Sequence, residues 1–272
     1  MLAVRSPFWS KDVWEPSTCS PACVGGRRRQ RAHPERIPFM TEADAARYRI
    51  TFAITHAMRY VGHLDLLRAW ERTLRRAELP LAYTQGFHPH PRIQIAPALP
   101  LGCTAAAEMM DLWLEEDLAA EALKERLGAA LPPGLRLRRI ERMPAGKPHF
   151  EQWLIAGEYR GVAVAGGLPA DIGERVNRVL ASESLPRERR EKSYDLRPLI
   201  LHLEVREEAV PSLGMRLKLQ AAATGRPDEV AEALGLEATA LLFTRERLLL
   251  TDEAGELHGS DEALREAATA PA

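Results

Sequence analysis

Residues 48–56 read YRITFAITH, and residues 63–78 read HLDLLRAWERTLRRAE. The first segment alternates and is rich in β-branched and aromatic residues, so it reads as a strand. In the second, Leu67, Trp70, Leu74 and Ala77 recur at intervals of three and four, which gives one apolar stripe of a helix. Asp65 falls in the first turn, where a carboxylate complements the helix dipole. Arg68, Arg72, Arg75 and Arg76 share the other side, with Glu71 and Glu78 among them. That side suits a solvated face, and it also suits a ridge that meets phosphates.

Working outward, residues 92–96 and 108–115 read as strands, 118–130 as a second amphipathic helix and 135–143 as a strand. Pro132, Pro133 and Gly134 stop the second helix. The order is β-α-β-β-α-β, the split βαβ arrangement of a ferredoxin-like domain. The second half repeats it: strand material in 151–164, a helix over 169–182, strands over 194–205 and 215–222, a short helix over 227–234 with Pro227 at its start, and a strand over 245–251. The fold class expected is therefore α+β, with tandem ferredoxin-like domains over 46–145 and 149–252 and a linker at Gly146 to Pro148. Residues 1–45 read as a non-globular extension and 253–272 as a weakly ordered tail.

The chain has 272 residues, 46% hydrophobic and 28% charged, enough to bury a core and to divide into two domains. A net charge of -1 gives no global attraction to nucleic acid or membrane. No apolar run of about 18 residues predicts a membrane span, and no apolar leader core appears at the N-terminus. The cysteines Cys19, Cys23 and Cys103 are too few for a disulfide framework, so a reducing cytoplasm is expected. Cys19 and Cys23 form C-x3-C, but Gly26 stands where a radical-SAM cluster needs its third cysteine. No iron–sulfur cluster is expected in this chain. The basic run Arg27, Arg28, Arg29 and Arg31 reads either as an arm for RNA or as sequence upstream of a true start at Met40.

The segment least suited to a routine core is YTQGFHPHPRIQIAPALPLG, residues 83–102. Gly86 admits a positive φ. Pro89, Pro91, Pro97 and Pro100 fix φ and extend the residues before them. The expectation is a stiff loop, a strand and a second stiff corner, presenting Gln85, His88, His90 and Arg92 beside His63 and Asp65 of the first helix. These groups can grip a phosphate or carboxylate and move a proton. They are also types that hold zinc or ferrous iron, but no diagnostic metal spacing supports it and no metal is assigned. The plain alternative is a loop that seals a sheet edge while His63 and Asp65 cap the helix. Asp195 and Arg197 read either as an ion pair locking the domain junction or as a ligand clamp.

Four stretches carry a resemblance: G-H-L-D (Gly62 to Asp65), L-P-L-A-Y-T-Q-G-F-H-P-H-P-R-I (Leu79 to Ile93), A-L-P-L-G (Ala98 to Gly102) and Y-D-L-R-P (Tyr194 to Pro198). Through them the chain resembles the radical-SAM-linked family over about residues 46–250. His88 stands where that family more commonly has asparagine. Members are fused to, or encoded beside, a cobalamin-binding radical-SAM protein, often near ribosomal-protein and ribonuclease genes. The resemblance implies an accessory or substrate-holding subunit for such a partner, acting on tRNA or rRNA. The partner would carry the iron–sulfur cluster, S-adenosylmethionine and cobalamin. The other function class is a stand-alone RNA-binding or RNA-processing protein, since single strands are commonly read on open sheets. Whether the chain is itself an enzyme stays open.

Overall fold

The computed structural model describes residues 45–262, apart from 190, 221–222 and 253. The readings that concern Cys19, Cys23, the basic run, Met40 and the last ten residues lie outside the described residues.

The first half holds β1 (Ala46–Ile54), α1 (His63–Arg76), β2 (Ile93–Ile95), β3 (Thr104–Leu114), α2 (Ala120–Ala130) and β4 (Leu135–Arg142). β3 pairs antiparallel with both β1 and β2, and β4 pairs antiparallel with the other edge of β1. The side-by-side order is β4-β1-β3-β2. β1 and β2 flank β3.

The second half holds α3 (Phe150–Trp153), β5 (Leu154–Ala163), α4 (Ile172–Ala181), β6 (Pro186–Arg189), β7 (Lys192–Asp195), β8 (Ile200–Arg206), β9 (Ser212–Gln220), β10 (Ala223–Thr224), α5 (Pro227–Ala233), β11 (Leu241–Thr251) and β12 (Leu257–Gly259). Its main order is β11-β5-β9-β8, antiparallel throughout. The segment read as one strand over 194–205 is broken: β6 and β7 make a separate two-stranded hairpin before β8 starts. Pro198 sits in a 3-10 turn at the break, where it cannot donate to a ladder.

Tandem domains, each with its own sheet, were expected. Instead β11 pairs in parallel with β3, Thr244 beside Thr104 and Arg245 beside Ala105, and the halves share one mixed ten-stranded sheet. The chain is thus a mixed α+β protein built on a single large sheet.

Strand alternation decides the two faces of the sheet. Tyr48, Ile50 and Phe52 of β1 and Met110, Leu112 and Leu114 of β3 pack under α1 and α2 with Trp70, Leu74, Leu123 and Leu127. Tyr159, Leu213, Met215, Leu217 and Phe243 form a second core with Val176 and Val179 of α4 and Val230 of α5. The opposite face carries a smaller cluster in which Met109, Leu248 and Leu250 lie against Phe150. Leu99, in the second proline corner, touches both main cores.

Helix ends follow local rules. α1 stops at Ala77, and Glu78 turns away with φ 51. α2 stops at Leu131, held extended ahead of Pro132. Gly134 then takes φ +100, and a Cβ there would lie 2.5 Å from Cγ of Met58. Only glycine satisfies both constraints.

Part of the expected tail is ordered. β12 pairs with the end of β11, and His258 bridges the turn, its Nε2 3.0 Å from Asp252 and its Nδ1 3.1 Å from Glu262. The carboxylates of Asp252 and Glu262 raise the His258 pKa above its ordinary 6.5. A raised folded-state pKa means the charged imidazole stabilises the turn fully below pH 6.5, and that this support is lost as pH rises through the folded value. Amide exchange at Ala254 and Glu256 is therefore expected to be slower at pH 5.5 than at pH 8 after correction for intrinsic rates. His258→Gln is expected to abolish the difference, and an unchanged difference in that variant would refute the assignment.

Candidate functional site

The 83–91 loop is tied to itself. Tyr83 and Pro91 form a bridge, Thr84 N–H donates to the His90 carbonyl at 2.9 Å, and His90 N–H donates to Thr84 Oγ1 at 3.1 Å. Its base is fastened by Arg92 N–H donating to the Ala82 carbonyl at 2.7 Å. Gly86, at φ 131, turns the tip. Gln85, His88 and His90 are exposed, and Phe87 is wholly so, although apolar side chains of that size are usually buried.

The loop leans on α1 through His90, whose Nδ1 lies 3.7 Å from the Glu71 carboxylate. Leu64 is seven residues before Glu71, so both fall on one stripe of the helix, about 10 Å apart along its axis. Leu64 is exposed, as are Tyr60 and Leu101. Tyr60 packs against Gly102, whose N–H donates to the Arg59 carbonyl at 2.8 Å. The Arg59 guanidinium stacks on the Tyr60 ring at 4.7 Å. His63 lines the small recess beneath this corner with Met58, Val61, Leu66, Leu99 and Pro100. Asp65 is exposed and ion-paired with Arg68 at 3.0 Å, which fits a solvated face on that side of α1.

His90 rests against α1, and Gln85 and His88 ride on the same loop, whereas His63 and Asp65, two positions apart at the start of α1, leave different sides of the helix, His63 toward the recess and Asp65 toward Arg68. Arg92 does not join them. Ile93 and Ile95 of β2 pack into the α1 core, so Arg92 points to the opposite face, where its guanidinium lies 4.6 Å over the Trp113 ring. The centre expected from the sequence is split by the sheet.

Asp195 and Arg197 lie within the second half, between α4 and β8, and both engage backbone. Asp195 Oδ1 accepts from the N–H of Leu185 at 2.7 Å and of Arg197 at 2.9 Å. These two backbone donors, Leu185 first, hold its carboxyl below the usual range. The Arg197 guanidinium donates to the carbonyls of Leu180, at the end of α4, and Ile200, at the start of β8. The pair fastens the exit of a helix to a strand, not one half of the chain to the other.

Between the halves stands a group that the sequence reading missed. Arg245 Nε and NH2 donate to both oxygens of Glu108 at 2.6 and 2.5 Å, and NH2 also donates to the Pro97 carbonyl at 3.0 Å. All three of Arg245, Glu108 and Tyr159 are buried, with the Tyr159 hydroxyl 3.4 Å from Arg245. Burial opposes the guanidinium charge, but Glu108 and Tyr159 outweigh it and the pKa is raised. The signal in the sequence is a glutamate and an arginine in positions that strand alternation turns inward.

Metal-capable groups gather elsewhere among the described residues. Ligand atoms of Asp252, Glu256 and His258 lie within 4.8 Å of one another at the β11–β12 turn. Cys103 is buried, and burial pushes its thiol up to about 12, which suits neither a nucleophile nor a thiolate ligand. Among the described residues no helix is long and apolar enough to cross a membrane.

No curated protein matches the chain. A solved structure described as an unknown protein from Galdieria sulphuraria aligns over 79% of this chain and 98% of its own, at 15% identity and a TM-score of 0.23. A bacterial family profile matches residues 47–227, which include β1 to β4, the proline-rich loop and the Tyr194–Pro198 motif. The chain belongs to that family, described as an uncharacterised protein conserved in bacteria, DUF2344.

Proposed function

We propose that this protein is an accessory, substrate-holding subunit that docks a radical-SAM partner protein through the 83–91 loop and the adjoining outer stripe of α1. The observation that carries the reading is Phe87. A wholly exposed aromatic on a loop closed by its own hydrogen bonds adds nothing to the core, yet it is held ready at low entropic cost. Exposed apolar groups of this kind are the anchors of protein interfaces. Tyr60, Leu64 and Leu101 extend the surface along α1, with His63, Asp65, His88 and His90 as its polar members. On this reading the partner supplies the iron–sulfur cluster, S-adenosylmethionine and cobalamin, and tRNA or rRNA is the substrate. The resemblance of the Leu79 to Ile93 and Ala98 to Gly102 motifs supports that choice of partner.

We also read each half as a ferredoxin-like unit, the two fused edge to edge. The strand orders β4-β1-β3-β2 and β11-β5-β9-β8, each with two crossing helices, support this.

The test is co-purification of the full chain with a cobalamin-binding radical-SAM protein of the class that the resemblance implies. Wild type is expected to retain the partner, and Phe87→Ala to lose it by more than about tenfold, the effect of an interface hot spot, at an unchanged unfolding midpoint. Retention by the variant equal to wild type would overturn the docking role. RNA retained without any partner would favour the stand-alone RNA-binding reading.

A further inference from the structure

Charge is spread unevenly along this chain. Residues 45–107 hold eight arginines and no lysine against three acidic residues, Asp65, Glu71 and Glu78, a net of +5 where the whole chain carries -1. No acidic residue occurs between Glu78 and Glu108, a stretch that contains the whole 83–91 loop and Leu101. In the second half arginines are met by carboxylates: Arg216 and Arg247 share Glu158, Arg206 faces Glu204 and Glu246, and Arg160 faces Glu208.

The structure sorts the eight arginines by face. Arg47, Arg49 and Arg92 alternate with residues of the α1 core, so they lie on the helix-free side of the sheet. Arg76 donates to the Ala130 carbonyl at the end of α2. Arg59, Arg68, Arg72 and Arg75 remain on the α1 side, and Arg59 stacks on the exposed Tyr60 ring. Positions 68, 72 and 75 recur at four and three, which makes one stripe about 10 Å long beside the stripe of Leu64 and Glu71. All three arginines are exposed. Arg68 pairs with Asp65 and Arg75 reaches Glu71 at 4.0 Å, and Arg72 makes no ion pair or hydrogen bond with any other described residue. Pairs this open to water are weak, so their arginines can re-pair with other carboxylates at little cost.

A cationic stripe beside the apolar groups Phe87, Tyr60, Leu64 and Leu101 limits what a partner can present. Carboxylates opposite it speed encounter and fix register, and basic groups opposite it are repelled. Aliphatic side chains and the carboxylates of Asp65 and Glu71 are interleaved with the arginines, which suits a protein face of mixed apolar and charged groups better than a uniform line of phosphates. We propose that the docking partner meets this surface with an acidic protein face, its carboxylates set around the pocket that receives Phe87, and that Arg72, flanked by Arg68 and Arg75, steers it into register. This rests on the docking role proposed above and adds to it the chemistry of the partner's face.

The test measures the affinity of the full chain for the cobalamin-binding radical-SAM partner at about 50 and about 300 mM salt. Wild type is expected to bind about tenfold more weakly at the higher salt. Arg72→Glu is expected to weaken binding about fivefold or more at low salt, through slower association, and by less than about twofold at high salt. Arg72→Lys keeps the charge and should bind as wild type does. Arg178→Glu, at an exposed position on α4, serves as the control with no effect. Equal affinity of Arg72→Glu and wild type at both salts overturns the acidic-face proposal, and overturns it alone where Phe87→Ala still loses the partner. Unchanged binding in both variants, or no binding by wild type, overturns the docking role as well. RNA bound without the partner and lost in Arg72→Glu assigns the stripe to phosphates and likewise overturns the proposal.

Discussion

Glu108→Ala is expected to destabilise the chain by about 3–5 kcal/mol, because it leaves the buried Arg245 guanidinium without its counter-charge. For a protein of this size the melting temperature should fall by on the order of 10 °C. The reason is positional. Among the described residues Arg245 forms one of the two residue pairs by which β11 meets β3, and its bonds to Glu108 and Pro97 join the second half to the first half and to the proline corner. Loss of the pair therefore loosens the seam as well as stranding a charge. The double variant Glu108→Leu with Arg245→Met should recover most of the loss, since a buried ion pair replaced by apolar groups of similar volume is often neutral or better. Thermal or denaturant unfolding of the two variants decides it. A loss below about 1 kcal/mol in Glu108→Ala would mean that water reaches the pair and that the seam is held by strand pairing alone.

Trp70→Ala should cost about 3–5 kcal/mol, the range for a large aromatic truncated in a core. Trp70 is 0% exposed, and its ring meets Phe52 edge-on with centroids 4.9 Å apart. That contact seats the middle of α1 on β1, so the loss should also disturb the outer stripe that runs from Leu64 to Glu71. Trp70→Phe should behave differently. Its Nε1 is buried without a hydrogen-bond partner, so the replacement removes an unsatisfied donor along with part of the ring. We expect Trp70→Phe to stay within about 1.5 kcal/mol of wild type. A loss in Trp70→Phe as large as in Trp70→Ala, read by chemical denaturation, would show that the indole nitrogen is satisfied in solution.

Much of the candidate surface was legible because its causes are local. Gly86, Pro89 and Pro91 act through their own φ angles, and the loop they shape is exposed. The position of Arg92 was not legible. It turns on whether Ile93 or Arg92 faces α1, and a strand of three residues gives too short an alternation to decide that before its partner is known. The same limit hid the pairing of Asp195 and Arg197 with backbone, because carbonyls and N–H groups carry no residue-type signal.

The sequence by itself determined the β-α-β-β-α-β order of the first half, where α2 stops, and that the 83–91 loop stays exposed. Each depends on periods of 2 and 3.6 residues or on the backbone preferences of glycine and proline, and these act within a few positions. Only the tertiary structure decided that the halves share one sheet through β11 and β3, that Arg245 and Glu108 meet at that seam, and that Arg92 turns away from α1 to lie over Trp113. Those contacts join residues as much as 140 positions apart in the chain. Such contacts depend on strand register, and register is set by how whole faces of the sheet bury against their helices, which no short window of sequence contains.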